Sequence, residues 1–347
     1  MEYLVVKSGL PTLDAARAYG LAQLLQVLAN GKASPYITDQ GGVFAVSLNA
    51  ELTHDALTRS DMWRAAFADS NWQRVFLTYK KAWSAQRDRV KRTLEEQVAA
   101  VVTRAGDGLC VDFAGKFALP GPLDPVGFKG LKGLTAGNYS EGQTYLDEQN
   151  GALACLGATI AQRYKFGKRE YFVTLPIPQM VQFNDFHQIR HLVYDKGLAY
   201  LGVRTAAAHF ALIFADAIRE RAAGNPYFPL SFSNVLYFSL FQSGQQFKPS
   251  VGGSINLARL LDIALSRPQA AAEMFKTWDY LFRRGSVKGN EALAEAITDL
   301  LMAPSGESYY RHARIFNRYI VDSSKRVNSE FLYDEAALME VMAYVEQ

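Results

Sequence analysis

Cysteine is nearly absent from this sequence: Cys110 and Cys155 are the only two among 347 residues. That count excludes a disulfide framework. Both cysteines lie in apolar runs, LCVDF and ALACLGATI, and are expected as buried free thiols of a reducing compartment. An excess of charge of one sign is also missing. The 37 Lys+Arg stand against 34 Asp+Glu, and the formal net charge of +3 excludes a basic tail protein, a histone-like binder and an acidic disordered chain. No run is apolar enough for a membrane. The best candidate, TAAAHFALIFADAI (205–218), is broken by His209 and Asp216 and flanked by Arg204 and Arg219, short of the roughly 20 apolar residues a span needs. It reads as a core helix. The opening MEYLVVKSGLP has neither the charged nor the apolar segment of a secretory signal, so a cytoplasmic protein without membrane contact is expected.

Motifs for catalysis are lacking too. There is no GxSxG, no GxxxxGK[ST], no CxxC pair and no GxGxxG after a strand. Asp107, Asp112 and Asp124 flank a strand and a loop without the spacing of a two-metal site, and Asp61, Asp69 and Asp88 read as helix-surface residues. FHQIRH sets His187 and His191 one helical turn apart, a spacing that suits Zn²⁺. However, Gln188 stands where the metalloprotease pattern needs a glutamate base, and no third ligand is evident. The expectation is no catalytic residue, no metal and no cofactor. A metal-dependent hydrolase around His187 and His191, and a scaffold protein without a nucleic-acid role, remain as alternatives.

What is present is a large foldable core: 49% of residues are hydrophobic and 12% aromatic. The pattern predicts a strand at 3–6 and a helix over 12–29, capped by Thr12, with Leu13, Ala16, Gly20, Leu24 and Leu28 on one face. A hairpin follows over 36–47, then helices over 51–104. LCVDF (109–113) reads as a buried strand and 114–138, with three prolines and six glycines, as a long loop. A helix at 143–162, a strand at 171–177, helices at 184–196 and 200–222, and β-rich 230–241 come next. QSGQQFKPSVGGS (242–254) reads as a polar loop. From Ser254 onward five segments carry helical periodicity. The expected fold is α+β: a mixed body over 1–252 followed by an all-α helical bundle over 253–347.

Charge placement is the positive signal. KKAWSAQRDRVKR holds Lys80, Lys81, Arg87, Arg89, Lys91 and Arg92 around Trp83. RYKFGKRE holds Arg163, Lys165, Lys168 and Arg169, interleaved with Tyr164 and Phe166. FKGLKG presents Lys129 and Lys132 between glycines, and Arg311, Arg314 and Arg318 recur at i, i+3, i+7 on a helix. Such clusters suit phosphate contacts, and interleaved aromatics suit stacking on unpaired bases. Gln245, Gln246 and Lys248 add amide and ammonium groups able to meet base edges or backbone. Because the total charge is nearly balanced, local clusters imply acidity elsewhere, as at 291–299 and 330–340, and a defined groove.

Two stretches carry a family resemblance. GLPTLDAARAYGLAQLLQVLANG (9–31) is an Ala/Leu helix after a short strand, and ALACLGATIAQRYKFGKREYFVTLPIP (152–178) is a small-residue helix, a basic turn and a strand ending in Pro-x-Pro. With an α+β body, a helical end and no catalytic motif, the chain resembles the large subunit of type I CRISPR surveillance complexes (Cascade), in its compact I-A and I-B (Myxococcus-type) form. The resemblance implies a non-catalytic subunit that meets crRNA, target DNA and the backbone and foot subunits. It also implies help in recognising the PAM duplex, stabilisation of the displaced strand, and recruitment of a nuclease-helicase or transposition factors. It assigns no base-reading residue.

Overall fold

The computed structural model describes residues 1–68, 72, 80–120, 123, 144–166, 168–222, 225, 228–243, 246–322 and 333–346. Its class is α+β. The chain divides into two units, one of residues 1–187, 229–232 and 238–252, the other of 188–228, 233–237 and 253–347. Residue 253, where the sequence places its boundary, opens the last segment of the second unit, which also takes in 188–228 and 233–237.

The first unit begins with β1 (Glu2–Val6), α1 (Pro11–Leu28), β2 (Tyr36–Asp39) and β3 (Val43–Ser47). Strand β3 pairs antiparallel with both β1 and β2, so β1 and β2 run the same way and α1 is the crossover between them, a split β-α-β unit. The sheet continues as β1-β3-β2-β7-β8-β9, where β7 is Glu170–Gln182, β8 Leu230–Ser243 and β9 Gln246–Asn256. Strand β6 (Gln162–Phe166) also pairs with β7, in a hairpin whose register sets Lys165 opposite Tyr171 and Tyr164 opposite Phe172. Strands β4 (Phe117–Ala118) and β5 (Tyr145–Leu146) form a separate pair, the first of them inside the expected 114–138 loop.

Helix α1 is not the one-faced amphipathic helix that its sequence predicts. Nearly every residue from Thr12 to Leu28 is buried, because the helix is covered by the sheet and by α5 (Glu148–Ala158). Small residues permit this approach. A Cβ at Gly157 would run into the carbonyl oxygen of Ala16, and one at Gly20 into that of Leu153. The Tyr19 hydroxyl then donates to the Pro176 carbonyl at 2.9 Å. The two stretches that carry the family resemblance are therefore packed on each other. Thr12 does not cap the helix: Leu10 is the N-cap and Pro11 occupies the first turn, where its missing N–H is no loss. Asp14 reaches back to accept from the Ser8 and Gly9 amides and the Ser8 hydroxyl.

LCVDF is not a strand. Leu109 makes a single parallel bridge to Val5, and the chain then turns outward, leaving Cys110 exposed while Cys155 is buried. The reason is a buried polar hub that claims this segment's carbonyls. Arg17, fully buried, bonds Asp14, Asn150 and the Val6 and Leu109 carbonyls, and Asn150 and Arg104 bond the Cys110 carbonyl. Residues 246–254 of the expected 242–254 loop belong to strand β9, which runs on to Asn256. Gly253 belongs to that strand for packing: a Cβ there would sit 2.8 Å from the Tyr237 hydroxyl.

The second unit is helical around α7 (Val203–Ala222), which packs against α8 (Ala258–Ser266), α9 (Pro268–Gly285) and α10 (Glu291–Met302). Helix α11 (Gly306–Asp322) packs on α10, and α12 (Glu335–Glu346) on α8, α9 and α11. The long polar helix of the first unit is α4 (Lys80–Asp107), preceded by the short α2 (Ala56–Arg59) and α3 (Asp61–Ala66). Helix α6 (Phe183–Lys196) follows β7. Among the described residues no helix is long and apolar enough to cross a membrane.

Candidate nucleic-acid interface

The three basic clusters that fall among the described residues differ in their settings. Lys80 and Lys81 open α4, and three of the four cations after them meet carboxylates within the unit. Arg87 pairs with Asp88 at 3.0 Å, Lys91 with Glu95 at 3.8 Å, and Arg89 with Glu148 of α5. The Arg89 guanidinium also lies 5.0 Å from the Phe117 ring centroid. Arg92 is exposed. A phosphate approaching this helix competes with carboxylates already in contact, so the cluster presents less field than its sequence suggests.

The 162–170 cluster is built otherwise. The expected basic turn after a helix is a β-hairpin, because α5 ends at Ala158 and the alternation of Arg163 and Lys165 with Tyr164 and Phe166 follows the period of a strand. Tyr164 is buried against Phe172, with ring centroids 6.3 Å apart, and Phe166 lies as close to the same ring. The cations occupy the other side. Arg163 lies 5.0 Å and Lys165 5.9 Å from the centroid of Tyr171, and Lys168 and Arg169 are exposed where the strands join. Tyr171, which the sequence did not single out, is thus flanked by two cations across the strand pair. Four cations stand against Glu170 alone in this segment.

On α11 the arginine stripe exists as predicted, with Arg311, Arg314 and Arg318 all exposed. Arg311, however, is held by two carboxylates of α10, Asp299 and, at 3.9 Å, Glu295. Asp299 also receives Arg204 at 3.4 Å. Lys129, Lys132 and Gln245 lie outside the described residues. Gln246 and Lys248 lie on β9.

The two histidines of FHQIRH lie on α6. His187 sits edge-on to Phe183 with centroids 4.7 Å apart, and His191 is exposed. Among the described residues no group of three or more His, Cys, Asp and Glu is arranged to hold a metal ion. A His–Asp pair, His209 with Asp279, joins Nε2 to Oδ1 at 2.7 Å in the second unit. It resembles a catalytic dyad but has no nitrogen to spare. Nδ1 accepts from the Ala199 amide at 2.7 Å, so Nε2 carries the proton and donates it to the carboxylate. Burial lowers the His209 pKa, and against its own desolvation Asp279 is brought down to about 2 by His209 and Arg283. The imidazole also stacks on Phe282 at 4.8 Å. It ties the turn after α6 to α9.

No family model matches the chain. It is similar to a protein of Archaeoglobus fulgidus that carries only the description "uncharacterized protein": the two are 26% identical over 361 aligned residues, which cover 99% of this chain and 98% of that one. The likeness therefore runs through both units.

Proposed function

We propose that this chain is a non-catalytic, nucleic-acid-binding subunit of an RNA-guided DNA-targeting assembly, working in the cytoplasm with crRNA, target DNA and neighbouring subunits. The observation that carries the binding role is the β6–β7 hairpin, which sets Arg163 and Lys165 about Tyr171 and Lys168 and Arg169 at its end, with Glu170 the one acid of the 162–170 segment. Such a surface meets phosphates electrostatically. In such assemblies base pairing to the guide reads the sequence, and the protein needs only local positive surfaces and a PAM contact. The resemblance of 9–31 and 152–178 to the Cascade large subunit supports the assembly, and the packing of those stretches on each other makes them one structural block.

The test is purification of the native complex through a tag on the full chain. Short RNAs of uniform length are expected to copurify. The variant with Arg163, Lys165, Lys168 and Arg169 each changed to Glu is expected to retain RNA and partner subunits but to bind target DNA at least tenfold more weakly. Absence of RNA from the wild-type complex would overturn the assembly, and unchanged DNA affinity in the folded variant would overturn the hairpin's role.

A further inference from the structure

Helix α12 is apolar nearly all round. Nine of the twelve residues of EAALMEVMAYVE are hydrophobic, and the other three are glutamates. A helix of that pattern is normally covered on every side. Here only Ala337, Glu340, Val341 and Tyr344 are buried. Asp334 caps the helix by accepting from the Ala337 amide at 2.7 Å. Tyr344 donates to the Leu301 carbonyl of α10 at 3.1 Å and stands edge-on to Trp278, and Arg267 holds Glu340 at 2.9 Å. These contacts fix the roll of the helix, with a glutamate turned inward and two methionines turned out. The outermost line is Glu335, Met339, Met342 and Glu346, at steps of four, three and four, the spacing of a coiled-coil seam. Leu338 and Val345 flank it on one side, Ala336 and Ala343 on the other. Met339 is 58% exposed, Met342 41% and Leu338 39%.

Charge selects the occupant. Glu335 and Glu346 close the two ends of the apolar seam, eleven residues and about 16 Å apart. Both are exposed, and neither makes an ion pair among the described residues. The helix itself has no Lys or Arg. Arg267 and Arg259 reach it on its buried side, at Glu340 and, at 3.2 Å, at the Tyr344 carbonyl. A polyanion is repelled by such a face, and so is an anionic membrane, whose surface helices carry Lys and Arg beside their apolar side chains. A second copy of the helix fits no better. Antiparallel pairing sets Glu335 against Glu346 at both ends, parallel pairing sets each acid against its twin, and neither supplies a cation.

We propose that this face docks a helix of another protein, which lays apolar side chains along Met339 and Met342 and carries Lys or Arg about eleven residues apart to meet Glu335 and Glu346. Methionine suits such a seam, because its unbranched thioether adapts to the partner's shape. The paired charges at the two ends fix the register of the partner helix. The proposal is independent of the hairpin reading.

It is tested in the native host with the full chain carrying p-benzoylphenylalanine at position 338, and separately at 345, followed by irradiation and mass spectrometry of the adducts. Both positions flank the seam and leave Met339, Met342 and the two glutamates intact. The expected result is one partner-protein segment crosslinked from both positions, with apolar residues at three- and four-residue steps and Lys or Arg at both ends. Its yield should fall at least fivefold when Glu335→Lys and Glu346→Lys are added and recover when the partner's cations are changed to Glu. Adducts on nucleic acid or lipid, adducts on a second copy of this chain, a partner segment with acidic ends, insensitivity to the glutamate reversal, or no adduct at either position would each overturn it.

Discussion

The β6–β7 hairpin and helix α11 both enter the sequence as runs of basic residues, yet the structure gives them different settings. In the hairpin the strand period sends Tyr164 inward and sets Arg163 and Lys165 about the Tyr171 ring, with Glu170 the one acid of the 162–170 segment. On α11 the helix period aligns three arginines, and the packing of α10 brings Asp299 and Glu295 to the first of them. A run of cations therefore reports a phosphate surface only after the acids that fold beside it are counted. The same lesson applies to α4, where Glu148, distant in sequence, neutralises Arg89.

The largest effect is expected where the hairpin is seated. Helix α5 leads directly into β6 and crosses α1 at Gly157 and Gly20. Gly157→Val would drive a branched side chain into the Ala16 carbonyl, which the backbones can relieve only by separating. A loss of about 3–5 kcal/mol, or failure of the first unit to fold, is expected. Urea unfolding followed by circular dichroism would read it. A variant as stable as wild type would mean that α1 and α5 do not cross this closely, and the hairpin would lose its stated support.

A smaller effect is expected beneath α11. His312, 2% exposed, meets the Tyr333 hydroxyl at 2.8 Å, and that hydroxyl receives the Trp278 indole N–H at 2.7 Å. Burial depresses the His312 pKa to about 4. Between about 6.5 and 4 the unfolded chain binds a proton that the folded one refuses, so this histidine's contribution is complete above 6.5 and declines as pH falls through that window. The decline amounts to about 3 kcal/mol. Stability of wild type and His312→Gln, compared at pH 7.5 and 4.5, would isolate it, with the shallower pH dependence expected in the variant. Equal dependence in both would remove His312 as the anchor of the α11 face.

Much of the fold is legible in the sequence, since α1, the 36–47 hairpin, α6, α7 and the five C-terminal helices follow periodicity and punctuation. What periodicity did not show is set by contacts far along the chain. LCVDF has the composition of a strand, but Arg17 and Asn150 take its carbonyls. The polar Gly-rich 246–256 has the composition of a loop, but pairing beside β8 extends it. At the candidate surface the cations were legible and their partners were not. Tyr171 becomes notable only once the register sets Lys165 opposite it, although the alternation in RYKFG already signals the strand.

The contrast between the two basic surfaces is tested most directly by one titration. A fluorescein-labelled single-stranded DNA of mixed sequence is bound by the full chain, or by its native complex, over a series of salt concentrations. Three proteins are compared: wild type, the hairpin variant with Arg163, Lys165, Lys168 and Arg169 changed to Glu, and the α11 variant with Arg314 and Arg318 changed to Glu. The hairpin variant is expected to lose at least tenfold in affinity and to flatten the log–log salt slope by about 2–3, the signature of lost phosphate contacts. The α11 variant is expected to stay within about twofold of wild type, with an unchanged slope. Equal losses from both variants, or a loss confined to α11, would contradict the account.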